Sequence, residues 1–160
     1  MRLQACAAFL LGALGMLSGA DVDTAAQTEK PSPAAVQEAY EHLLAVKEFA
    51  FGGVGFAGTT SAGEKAYRTV FASTNALALF QSALAKGSNE AKLYALAAIR
   101  HLDKKSFDAG AKALLAANPE VRTMSGCIVN HEKAQAVVKR ITSGFYDIGA
   151  GKTEVTIRRH

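Results

Sequence analysis

Cysteine is almost absent from this chain of 160 residues, with Cys6 and Cys127 the only two. A disulfide framework is thereby excluded, and Cys6 lies in a segment that reads as a removable leader, which would leave Cys127 without an internal partner. Charge of one sign is lacking as well. The 18 Lys and Arg stand against 14 Asp and Glu with no block of like charges, and loss of Arg2 narrows the excess further. Neither nucleic acid nor an acidic membrane surface is implied as a partner. The cluster Arg158-Arg159-His160 reads as a solvated chain end. No Asn-x-Ser/Thr sequon occurs, which fits a bacterial exported protein.

What is present begins at the first residues. Arg2, an apolar run from Ala5 to Leu17, and Ser18-Gly19-Ala20 before Asp21 make a charged start, an apolar middle and small residues ahead of a cut. This is the pattern of a secretory signal peptide cleaved after Ala20, and it predicts a periplasmic or secreted protein. The run is shorter than the roughly 20 residues of a spanning helix, so no stable membrane insertion is expected after cleavage. Residues 21–32 are polar, lack apolar periodicity and include Pro31, which reads as a disordered spacer.

From Pro33 to about Gly144 the pattern is helical, and the expected fold class is all-α with about six helices. Ser32 can cap the first, with Pro33 in its first turn and Val36, Tyr40, Leu43 and Leu44 on one face up to a stop at Gly52-Gly53. Ser61 and Glu64 form a capping box for the second, in which hydroxyl and carboxylate satisfy free amides reciprocally. The third carries Leu77, Phe80 and Leu84 and stops at Lys86-Gly87. The fourth, after Ser88, is apolar around so much of its circumference that it should be central. The fifth stops at Asn118-Pro119, and the sixth runs from about Asn130, with Ala134, Val137, Val138 and Ile141 inward. No segment before residue 145 is read as a strand. Residues 145–160 form an extended tail, in which 153–157 (TEVTI) alternates at period two. A lone strand needs a partner, and only 121–123 and 128–129 offer one.

Short phrases recur along the helical region. Lys65-Ala66-Tyr67 returns as Lys92-Leu93-Tyr94, and Asn89-Glu90 returns as Pro119-Glu120. These units, over residues 61–141, resemble short and irregular HEAT-type repeats, in which a polar turn leads into an alanine-rich inner helix. The resemblance implies stacked helical hairpins and a protein-binding surface; it implies no reaction.

Several stretches suggest chemistry. Gly53-Val54-Gly55-Phe56-Ala57-Gly58 matches the dinucleotide fingerprint in letters. That motif needs a strand before it, a helix directly after it and an acid about 20 residues on, and here a helix is expected before it and the acid is missing. It reads instead as a glycine-rich loop in which Val54 and Phe56 lie beside Thr59, Thr60 and Ser61. Gly149-Ala150-Gly151-Lys152-Thr153 lacks the leading glycine of a phosphate loop, Tyr146 standing in its place. Cys127 and His131, four apart, would share a helix face, and an imidazole beside a thiol can activate it. Against this, Asn130 looks like a helix cap, and Ile128 and Val129 suggest that Cys127 is buried. His42 and His101, amid charged neighbours, read as solvated helix-face residues.

The expected function is therefore a protein-binding module without cofactor, metal or nucleotide. Its partner is expected to be another envelope or secreted protein, and its candidate binding residues are Tyr67, Tyr94, Phe56 and Thr59. For the two tyrosines the preferred reading is as core residues whose hydroxyls reach the rim. The alternative is a small thiol-dependent enzyme or redox protein built on Cys127 and His131.

Overall fold

The computed structural model describes residues 30–147. The leader, nearly all of the spacer, the Gly149 to Thr153 stretch and the alternating segment 153–157 lie outside the described residues. Six helices dominate: α1 (Pro33–Leu44), α2 (Ala62–Phe71), α3 (Ala76–Lys86), α4 (Asn89–Leu102), α5 (Lys104–Ala117) and α6 (Ala134–Thr142). None of them is long and apolar enough to cross a membrane.

Helix starts follow the expected caps. Ser32, Ser61 and Ser88 each accept a hydrogen bond from a first-turn amide, and Asp103 ends α4 and caps α5 in one residue. Helix α4 is central, packing against α3, α5 and α6. Its buried residues run unbroken from Leu93 to Ile99, so it has no solvent stripe over its middle turns.

Two small antiparallel sheets complete the fold: β1 (Gly53–Val54) with β2 (Thr59–Thr60), and β3 (Glu120–Ser125) with β4 (Ile128–Lys133). The second pair corrects the expectation that nothing before residue 145 forms a strand. It also moves the start of α6 from Asn130 to Ala134, because Asn130 pairs with Thr123 instead of capping a helix. Lys133, at the real N-terminus, makes no side-chain cap. The first-turn amides are met from across the chain, Ala134 donating to the Pro119 carbonyl and Gln135 to Asn118 Oδ1.

Helix α1 is also shorter than its pattern suggests, ending at Leu44 rather than at Gly52-Gly53. Beyond it, Val46, Phe49 and Ala50 turn inward and are buried. Phe49 bridges to the free side of β3, its amide donating to the Arg122 carbonyl (2.8 Å) and its carbonyl accepting from Met124 (3.1 Å). Around it gather Phe51, Tyr94 and Tyr146, with ring centroids 4.8–5.2 Å from that of Phe49. Edge-on and tilted pairings of this kind add to plain apolar burial.

Candidate functional site

The two hairpins lie side by side. In the first, the chain reverses through Gly55-Phe56-Ala57-Gly58, and a Cβ on Gly53 would fall 2.9 Å from the Gly58 carbonyl oxygen across the ladder. In the second, Gly126 and Cys127 alone connect β3 to β4, with Gly126 at φ +56 in the first loop position, the place a tight hairpin turn reserves for glycine. A bridge between Val54 and Gly126 joins them, with the Gly55 amide donating to the Gly126 carbonyl at 2.9 Å. The glycine-rich loop and the Cys127 region, read separately from sequence, thus become one surface.

That surface is apolar at its most prominent points. Phe56 is fully exposed, Ile128 is 65% exposed and Val129 40%. Isolated exposed apolar residues are ordinary, but here Phe56 and Ile128 are carried by two hairpins whose tips abut. Thr59 stands exposed on β2, opposite Val54.

The base of the first hairpin is held by a buried charge. Glu64 is almost wholly buried, with one oxygen accepting from the Gly52 amide (2.7 Å) and the other from the Arg68 guanidinium (2.9 and 2.6 Å). Only half of the expected capping box therefore forms: Ser61 Oγ accepts from the Glu64 amide, while the carboxylate serves the loop. Strand β4 is held by a second network. Glu132 Oε1 accepts from Thr123 Oγ1 (2.7 Å) and Arg140 Nη2 (2.6 Å), and Arg140 Nε donates to the Tyr146 hydroxyl (2.7 Å). Burial pushes the Glu132 carboxyl up, but the bonds from Arg140 and Thr123 prevail and hold it below its ordinary value.

Tyr94 and Tyr67 are both buried, Tyr94 completely. The Tyr94 hydroxyl is spent on both backbone groups of Ala50, so the ring has no surface to offer a ligand. Burial pushes the phenol of Tyr94 up to about 12 and that of Tyr67 higher still. Phe56 and Thr59 keep the exposure that binding requires.

The Cys127 and His131 pairing needs a helix, and the structure puts a strand there. Four residues share a helix face only in a helix; along an extended chain they stand about 13 Å apart. Cys127 sits in the turn, while His131 pairs with Arg122 and lies 3.6 Å from Glu120. The expectation of a buried thiol also fails, since Cys127 is exposed. Among the described residues, no group of three His, Cys, Asp or Glu side chains is placed to hold a metal.

One further hollow is lined by Arg100, His101, Lys104, Phe107, Thr142 and Asp147. Asp147 fills it from one side, pairing with Arg100 and approaching His101 Nε2 at 3.0 Å, so His101 is not merely a solvated residue. Comparison with protein-family models, with curated proteins and with solved structures finds no match for this chain.

Proposed function

We propose that this chain is an exported, periplasmic protein-binding module that carries out no reaction of its own. In this reading the abutting hairpin tips dock into an apolar recess of another envelope or secreted protein. The observation that carries it is Phe56, fully exposed on a glycine-bounded turn beside a second exposed turn bearing Ile128. Aromatic anchors entering a partner's pocket dominate the energetics of such interfaces.

The helical body is the support for that rim. Helix α3 packs on α4 and α4 on α5, sequence neighbours in contact as in stacked helical hairpins, while α2 packs chiefly on α1. Tyr67 and Tyr94, at equivalent places in the two phrases, meet with ring centroids 6.1 Å apart. Glu64 and the Tyr94 hydroxyl then anchor the segment that carries Phe56.

Cys127 supplies the test, because its exposed thiol lies in the turn that touches the Phe56 hairpin. A short photoactivatable crosslinker attached there should capture one envelope protein, and Phe56→Ser should reduce that capture at least tenfold without altering the circular dichroism. No crosslinked species, or equal capture by Phe56→Ser, would overturn the reading.

A further inference from the structure

Three exposed apolar side chains stand at helix ends rather than at the hairpin tips. Phe71 is the last residue of α2, Leu102 the last of α4, and Phe145 follows the end of α6. The hollow lined by Arg100, His101 and Asp147 lies among them: the Phe71 ring is edge-on to the His101 imidazole with centroids 6.5 Å apart, Leu102 follows His101, and Phe145 precedes Asp147 by two residues. Its volume of about 400 Å³ falls within the range of small-ligand sites.

Cations in the last turn of a helix are ordinary, because they answer its dipole. Arg100 and His101 do more than that. Both reach one oxygen, Asp147 Oδ1, Arg100 donating through Nη1 and His101 Nε2 approaching at 3.0 Å. The second oxygen, Oδ2, lies where a Cβ on Gly144 would come within 2.6 Å, so the glycine leaves room for the carboxylate. Among the described residues nothing donates to Oδ2. Lys104 also lines the hollow, and its ammonium is held only by an exposed pair with Asp108 at 3.4 Å. Tyr67 is a further neighbour. Its ring stacks on Phe71 with centroids 5.6 Å apart, its side chain is buried, and among the described residues its hydroxyl has no hydrogen-bond partner. Burial, and after it the charge of Asp147, pushes that phenol up, which sets it within electrostatic reach of the same carboxylate.

We propose that this hollow is a binding site for a small organic acid, whose carboxylate takes the place of Asp147 on Arg100 and His101 and whose apolar body lies against Phe107 and beside Phe71. The seated side chain shows the chemistry that the donors accept, a planar carboxylate, and the aromatic surroundings favour an acid with an apolar body over a bare anion. Asp147 is then a tethered competitor that any ligand must displace. One carboxylate replaces another, so the exchange leaves the charge of the hollow unchanged. The site shares no residue with the hairpin tips, and the inference does not depend on the docking surface.

Benzoate titrated into the purified full chain at neutral pH, followed by amide chemical shifts, tests this directly. Saturable shifts should centre on His101 and Phe71. Removing the competitor by Asp147→Ala should tighten the Kd at least tenfold, and Asp147→Asn, which keeps the size of the side chain, should tighten it as well. Adding Arg100→Gln to either variant should weaken binding at least tenfold, and benzyl alcohol should bind at least tenfold more weakly than benzoate. No saturable shifts in either Asp147 variant would overturn the proposal, as would binding that survives Arg100→Gln. Acetate or inorganic phosphate binding as tightly as benzoate would also overturn it, in favour of a bare anion site. The Cys127 crosslink reads the hairpin tips alone, so its failure would count only against the docking surface.

Discussion

The Tyr94 hydroxyl donates to the Ala50 carbonyl at 2.8 Å and accepts from the Ala50 amide at 2.9 Å, so one side chain of α4 satisfies both backbone groups of a residue 44 positions away. This is how the central helix fixes the segment leading to the Phe56 hairpin. Tyr94→Phe would leave the buried Ala50 amide without a partner, while its carbonyl keeps Ser61 Oγ at 2.9 Å. The expected cost is about 1–3 kcal/mol, read from the midpoint of urea unfolding. A smaller effect, within about 0.5 kcal/mol of parent, would mean that water replaces the hydroxyl.

The same phenol gives the fold an alkaline limit. Burial is the main cause that raises the Tyr94 value from 10.0 to about 12, against the opposing bonds from Ser61 and Ala50. Between those two values the unfolded chain has lost the proton that the folded chain keeps. The contribution of Tyr94 is therefore fully present below pH 10 and is lost as pH rises toward 12, at about 1.4 kcal/mol per pH unit. Stability measured from pH 9 to 12 should fall more steeply in the parent than in Tyr94→Phe. Parallel curves would show that other groups carry the alkaline transition.

Two buried glycines separate rigid from yielding neighbours. A Cβ at Gly63 would meet the Tyr94 hydroxyl at 2.7 Å and its ring at 3.0 Å, and that ring is held by Ala50. A Cβ at Gly110 would crowd a Leu84 methyl group and meet one of Leu96 at 3.1 Å, and Leu84 is only partly buried. Gly63→Ala should cost about 1–3 kcal/mol by overpacking. Gly110→Ala should cost less, because Leu84 can rotate and alanine recovers up to about 1 kcal/mol of helix propensity. Thermal unfolding of both variants orders them, and the reverse order would refute the distinction.

The places where local pattern and structure part company share one cause. The capping serines, the central helix and the Asn118-Pro119 stop were legible because each depends on residues a few positions apart. Strand β4 was not, since Ile128-Val129-Asn130-His131 carries no alternation of burial: both faces are exposed and the segment is held from β3. Gly126 between two β-branched runs was the available signal of the hairpin. Glu64 was read as a local cap, and its carboxylate answers the distant Gly52 amide instead. The apolar surface could not be foreseen either. Phe56 and Ile128 are 72 positions apart in sequence, and only the bridge between Val54 and Gly126 brings the hairpins that carry them together.

Asn118 performs two tasks that substitution can separate. It ends α5 in the left-handed region at φ +37, and its Oδ1 accepts from the Gln135 amide at the start of α6. Asn118→Gly keeps the conformational freedom and loses the cap, at an expected cost of about 1 kcal/mol. Asn118→Ala loses both, adding about 1–2 kcal/mol for an alanine in the left-handed region. Chemical denaturation should therefore rank parent above Asn118→Gly above Asn118→Ala. Equal loss in the two variants would assign the whole effect to the cap, and no loss in Asn118→Gly would assign it to the backbone.

Cys127 should behave as an accessible thiol rather than an activated one. It stands exposed in a two-residue turn, and the strand that follows carries His131 away from it. A thiol reagent at neutral pH should label the folded protein within a few-fold of the rate for the unfolded chain, and His131→Ala should leave that rate unchanged. Cys127→Ser should change stability by less than about 0.5 kcal/mol, as for a surface position without partners. Labelling only after denaturation would contradict the exposed turn. A rate that collapses in His131→Ala would show that the histidine reaches the thiol after all, and would require β4 to leave its ladder with β3.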